Sequence, residues 1–183
     1  MFQSIKKTSL CDCLELETET FMDNRGSFTK IFHADFFQSK QINFCLKELC
    51  YSQSKLNVLR GMHFQSPPAH HSKIIFCPAG KILDVVVDLR RNTPTFGQYY
   101  SLIISAEKKN ALYVPEGLAH GFLSLDEGTT VVYMVSSVHD PANDTGFRYD
   151  SFGFDWGIKK PILSERDEKH PAFDELPIFF QDY

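Results

Sequence analysis

Short runs of β-branched and aromatic residues, each closed by turn formers, succeed one another through the middle of this chain. LNVLRGMHFQ (56–65) ends in SPPAHH, and KIIFC (73–77) is separated by PAG from KILDVVVDL (81–89). YYSLIIS ends at the polar turn AEKKN before ALYVP, and GFLSL runs through DEGT into TVVYMVSSV. Runs of this length, with few helical patterns between them, predict an all-β antiparallel sandwich or barrel. Alternation along KILDVVVDL places Leu83, Val85 and Val87 on one face and Asp84, Val86 and Asp88 on the other. Two acids beside a valine on a central strand predict a polar cavity rather than a plain solvent face. Helix is sparse. ADFFQSKQ (34–41) has the length for two turns, and the S-x-x-D of SERD (164–167) is a capping pattern for a short helix that Pro171 limits. No linker, repeat or low-complexity stretch interrupts the sequence, so residues 1–183 are expected to form one domain.

The chain has 183 residues, 43% hydrophobic and 23% charged, enough apolar material for a sizeable core and too much for a disordered protein. A net charge of −4 gives no reason to expect nucleic acid as a partner. No apolar run is long enough to span a bilayer, and MFQSIKKTSLCDCLELE lacks the apolar stretch of a secretion signal. The expectation is therefore a cytoplasmic protein without a membrane partner. Its five cysteines (Cys11, Cys13, Cys45, Cys50, Cys77) include no C-x-x-C pair. They read as reduced thiols serving as small apolar residues, with Cys11 and Cys13 on one face of a strand.

Seven histidines remain to be explained: His33, His63, His70, His71, His120, His139 and His170. His63 falls on a strand after Arg60-Gly61, and His120 falls in the turn segment PEGLAHGF. A metal site would have to gather His63, His70 or His71, and His120. The residue two after His63 is Gln65, and adjacent His70 and His71 would point to opposite faces of a strand, so neither spacing suits a three-ligand site. The metal-free alternative is acid–base chemistry. A neutral histidine acting as a base needs a carboxylate to fix its tautomer, and Asp84, Asp88 and Asp167 are the candidates. Lys73 is a candidate for stabilising an oxyanion and Tyr133 for returning a proton. Each also has a purely structural reading: His63 as a satisfied core residue, Asp167 as a helix cap, Tyr133 as packing, Lys73 as a solvated strand end. Spacing alone does not show that they converge.

LRGMHFQ together with PEGLAHGF resembles the dTDP-4-dehydrorhamnose 3,5-epimerase family. The resemblance runs nearly end to end, from DNRGSF (23–28) through SQSKLNVLRGMHFQ, Lys73, GKILDVVVDLRRNTPTFGQY (80–99) and ALYVPEGLAHGF (111–122). It closes with Tyr133, FGFDW (152–156) and ILSERD (162–167). It implies a cupin-type jelly-roll β-barrel with a few short helices, normally a homodimer, with no metal and no other cofactor. The substrate it implies is a nucleotide-diphospho-4-keto-6-deoxy sugar. The C3 and C5 protons are both α to its C4 carbonyl, so removing either gives an enolate. By the same resemblance His63 is the base, Asp167 its carboxylate partner, Lys73 the enolate-stabilising cation and Tyr133 the acid on the opposite face. His120 and Asp84 correspond to a supporting polar pair, with His120 also contacting substrate. Arg25, Arg60 and Arg166 correspond to positions around the diphosphate or nucleotide, Arg166 standing where the family has lysine.

The departures gather on the nucleotide side. Phe28-Thr29-Lys30 stands in place of F-x-E and Glu48-Leu49-Cys50 in place of Q-x-N. His139 replaces the tyrosine that stacks on thymine, and Val138 replaces its neighbour. A pocket that still takes dTDP and a pocket for another nucleotide or sugar both remain open, as do one inversion or two. The rival readings are a metal-dependent cupin (oxygenase or isomerase), a non-catalytic sugar-binding jelly roll and a keto-isomerase on the same sugar nucleotides.

Overall fold

The computed structural model describes residues 2–181. Its strands are β1 (Phe2–Lys7), β2 (Leu14–Thr18), β3 (Thr20–Asp23), β4 (Gly26–Thr29), β5 (Glu48–Ser54), β6 (Leu59–Gln65) and β7 (Lys73–Ala79). They continue with β8 (Lys81–Asp88), β9 (Tyr99–Ser105), β10 (Asn110–Val114), β11 (Leu118–Ser124), β12 (Thr129–Val135) and β13 (Asp144–Gly146). One sheet runs β1-β2-β10-β7-β12-β5, the other β13-β6-β11-β8-β9, and β3–β4 is a separate hairpin. From β5 onward the chain alternates between the two sheets except at the β8–β9 hairpin, the wiring of a jelly roll. Among the described residues helix is confined to α1 (Ala34–Ser39), α2 (Glu165–Glu168) and a 3₁₀ turn at Phe173–Glu175.

Each sheet is buried on both faces, which explains the long apolar runs. Between the sheets pack Ile75, Ile82, Val86, Ile104, Leu112 and Phe122. The outer face of the five-stranded sheet carries Leu59, Met62, Val85 and Val87, covered by Phe147, Trp156 and Phe180 of the C-terminal segment. The outer face of the six-stranded sheet carries Leu16, Ile74 and Met134, covered by Phe37 of α1 and by Ile42. The alternation expected in β8 is present: Leu83, Val85 and Val87 face the C-terminal segment, while Ile82 and Val86 face the other sheet.

Both expected helices form. Phe37 anchors α1, and Ser164 caps α2 by accepting a hydrogen bond from the Asp167 amide at 3.1 Å. Three local expectations fail. Cys11 and Cys13 lie in the turn between β1 and β2 rather than on a strand. His70 and His71 precede β7 in irregular chain, because the Pro67-Pro68 breaker extends further than the spacing suggested. His120 belongs to β11 rather than to a turn, because the turn is completed at Gly117 (φ +83°).

Strands β6 and β11 approach unusually closely. A Cβ on Gly61 would lie 2.5 Å from Gly121 Cα, and the pairing shifts register between His120 and Phe122. This bulge keeps Arg60 and His63 on the inner face with Met62 on the outer one.

Candidate active site

The inner faces of the two sheets deliver one group of polar side chains to one open region. His63 from β6 and His120 from β11 come from the five-stranded sheet, in direct register with each other. Lys73 from β7 and Tyr133 from β12 come from the six-stranded sheet. Two adjoining lobes of about 220 and 390 Å³ share Cys50, His63, Lys73 and Tyr133 in their linings. A larger cavity of about 880 Å³, bordered by Lys7, Asp12, Lys40, Arg90 and Glu116, contains none of these residues.

His63 Nε2 lies 2.6 Å from Asp167 Oδ1, although 104 residues separate them in the chain. Burial works against the Asp167 anion, but hydrogen bonds from His63, Gly61 and Ser164 together hold its carboxyl below the ordinary range. Lys73 is buried and its ammonium reaches the His63 carbonyl at 3.5 Å. Burial lowers its pKa to about 8, against the pull of Asp144 and Asp84. The Tyr133 hydroxyl is 2.9 Å from Ser52 Oγ, and burial pushes its pKa upward. His120 Nε2 lies 2.7 Å from Asp84 Oδ2 in a buried pair. Asp84 itself is enclosed and lines neither lobe, meeting the cavity only through His120, so the expected polar cavity is met at one remove there. It fails for Asp88, which closes the strand end by accepting hydrogen bonds from Arg90 at 2.8 and 3.0 Å and from Thr95 at 2.6 Å.

Arg60 donates to Ser54 Oγ at 3.1 Å and lines the larger lobe, together with Arg166, which donates to Asp144 at 2.7 Å. His139 lies at the rim of the smaller lobe, where its amide donates to Glu48 at 2.9 Å. Three of the sequence departures, Glu48, Cys50 and His139, thus share one wall, while Lys30 borders neither lobe. Arg25 is the residue not brought in. It sits in the β3–β4 turn, 86% exposed and paired with Asp23 at 2.6 Å.

The ligand set weighed for a metal does not assemble. His70 lies 3.4 Å from Glu116, His71 borders Ser137 and Gln65, and His120 is held by Asp84. Sequence reasoning gave no place to His170, whose ring packs edge-on against His63 at 5.8 Å and whose Nε2 is 3.9 Å from Asp167 Oδ1. The signal was its position three residues after Asp167, just beyond the end of α2.

A jelly roll of this wiring, with polar side chains gathered between its sheets, belongs to the cupin-type folds. The sequence profile of the dTDP-4-dehydrorhamnose 3,5-epimerase family matches residues 7–175, and the chain is a member of that family of isomerases. The dTDP-4-dehydrorhamnose 3,5-epimerase of Salmonella typhimurium is 35% identical over 92% of this chain and 94% of its own. A dTDP-6-deoxy-D-glucose-3,5-epimerase from Legionella pneumophila, solved with dTDP-4-keto-L-rhamnose, superimposes with a TM-score of 0.93 at 27% identity, covering 98% of each chain. A 3'-monoepimerase from Streptomyces bikiniensis, solved with dTDP-quinovose, gives 0.84 at 32% identity, covering 90% of this chain and 85% of its own.

Proposed function

We propose that the chain epimerises a dTDP-linked 4-keto-6-deoxy sugar at C3, C5 or both, in deoxysugar biosynthesis. One observation carries the reading: the His63–Asp167 pair and Tyr133 border one cavity from opposite sheets. Inverting a carbon requires exactly such opposed groups, one removing a proton and one returning it from the far side. With Nε2–H donated to Asp167, His63 Nδ1 keeps the lone pair that receives the sugar proton, and the carboxylate stabilises the resulting imidazolium. The Lys73 ammonium supplies preorganised positive charge for the enolate oxygen. Tyr133, protonated at physiological pH, returns a proton to the opposite face. His120, positioned by Asp84, contacts the sugar, while Arg60, Arg166 and His139 hold the nucleotide diphosphate at the mouth.

Arg25 reaches a nucleotide only in a homodimer, which is part of the same proposal. Strand β5 is a sheet edge with Leu49 and Tyr51 exposed, and the β3–β4 hairpin exposes Phe21, Met22 and Phe28. An unpaired edge beside exposed apolar side chains is the kind of surface a second copy covers. Among the described residues no helix is long and apolar enough to cross a membrane, and all five thiols are free, in keeping with action in the cytoplasm.

The test is incubation in D₂O with dTDP-, GDP-, CDP- and UDP-4-keto-6-deoxy sugars, with deuterons counted by mass spectrometry. The dTDP sugar should gain one deuteron per inverted centre, and His63→Ala should abolish the gain. Uptake by none of the sugars, or full uptake by His63→Ala, would refute the reading.

A further inference from the structure

His170 has no part in the chemistry above, yet it is aimed at its centre. Its Nε2 is buried and, among the described residues, has no hydrogen-bond partner. The ring fits there only because position 146 is glycine: a Cβ on Gly146 would stand 2.9 Å from that nitrogen. One donor atom each from His63, Asp167 and His170 falls within 4.8 Å of the others. We propose that these three residues bind a zinc-class divalent ion, and that the ion switches off the base rather than serving as a cofactor.

Two imidazole nitrogens and one carboxylate oxygen make a borderline-soft donor set that suits zinc or cobalt and disfavours magnesium and calcium, which require oxygen. Zinc holds such donors at about 2.0–2.2 Å, so tetrahedral neighbours stand about 3.4 Å apart. The separations from Asp167 Oδ1, 2.6 Å to His63 Nε2 and 3.9 Å to His170 Nε2, lie on either side of that value. The third separation, His63 to His170, is within 4.8 Å, so side-chain adjustments of about 1.4 Å or less suffice. His63 and Asp167 border the 390 Å³ lobe, so a water can supply the fourth ligand. Other histidine–carboxylate contacts, His70–Glu116 and His139–Asp144, each join a single imidazole to a single acid.

The inhibition follows from the tautomer. To coordinate, His63 must present the Nε2 lone pair, so its one ring proton moves from Nε2 to Nδ1. No proton is lost overall, but Nδ1 then has no lone pair to accept one from the sugar. Only this consequence rests on the epimerase reading; binding of the ion does not.

The experiment is calorimetric titration of chelator-treated protein with zinc chloride in the absence of sugar nucleotide. Visible absorption of the cobalt(II) form follows the coordination, and deuterium uptake is measured with and without zinc. The expected result is one ion per chain at this site, binding at least about tenfold weaker in His170→Gln and unchanged in His70→Gln. Deuterium uptake should be lost with zinc and restored by chelator in the parent, and its loss in His170→Gln should require at least about tenfold more zinc. Equal zinc affinity in His170→Gln and parent would overturn the proposal, as would full uptake by zinc-saturated parent. Should His170→Gln not fold, the cobalt spectrum decides: a tetrahedral signature competed away by zinc supports the site, and an octahedral aquo-like spectrum overturns it. Zinc binding by a protein that exchanges no sugar proton would leave this site standing and remove the epimerase reading instead.

Discussion

His63 and His120 sit directly opposite each other across the β6–β11 pair, yet each holds a different carboxylate, Asp167 at 2.6 Å and Asp84 at 2.7 Å. The two pairs differ in surroundings. The His63 side chain is 30% exposed, whereas His120 only touches the larger lobe and Asp84 behind it is enclosed. Only the first pair has the access a base needs. Asp167→Asn should therefore lower deuterium uptake by about 10³–10⁴-fold, the scale seen when a catalytic histidine loses its orienting carboxylate. A loss below tenfold would show that His63 needs no partner.

The proposed role of Tyr133 separates exchange from inversion. Tyr133→Phe removes the hydroxyl that Ser52 holds at 2.9 Å and leaves the base untouched. The variant should still wash deuterium into the starting sugar while forming little epimer, as resolved by NMR of the recovered sugars. Normal epimer yield would place the acid elsewhere.

The proposed role of Lys73 predicts an alkaline limit. Burial depresses its pKa to about 8, so the ammonium is present below that pH and is lost above it. In the proposed mechanism the charged form stabilises the enolate, so kcat/KM should fall by about tenfold per pH unit beyond 8, since kcat/KM reports groups of the free enzyme. Lys73→Met should be slow at every pH and lack this limb. An unchanged limb in that variant would assign it to another group.

Close approach at the β6–β11 bulge predicts a stability effect. Gly121→Ala puts a methyl 2.7 Å from Met62 Sδ and 3.0 Å from the Arg60 carbonyl. Overpacking against backbone should cost about 1–3 kcal/mol in urea unfolding. A midpoint equal to the parent's would mean that β6 yields freely.

The exposed hairpin predicts a quaternary effect. Phe21→Asp combined with Phe28→Asp should convert a dimer to a monomer in light scattering after size exclusion. A parent that is itself monomeric would remove the dimer from the proposal and leave Arg25 without a role.

Much of the barrel was legible because its strands are buried on one or both faces. The inner and outer sets of β8 follow from alternation, and SERD announces its own cap. Strands β1 to β5 were not legible, since TFMD and ELCYSQS mix polar and apolar residues on exposed faces and carry no clear period. Convergence was not legible from spacing either. The His63–Asp167 contact closes over 104 residues, and only resemblance to a family joined its two ends. His120 was misplaced because PEG punctuates the sequence one residue before β11 begins. Asp88 looked like cavity lining because alternation fixes the side of a sheet and not the height along it.

The aromatic mass that covers each sheet from outside, Phe37 on one flank and Phe147, Trp156 and Phe180 on the other, has a bearing on how this protein can diverge. Cohesion resides in those flanks and in the packed end of the interior, well apart from the rim where Glu48, Cys50 and His139 stand. Exchanges at the rim can alter which glycosyl donor is admitted while the folded scaffold stays essentially as firm as before.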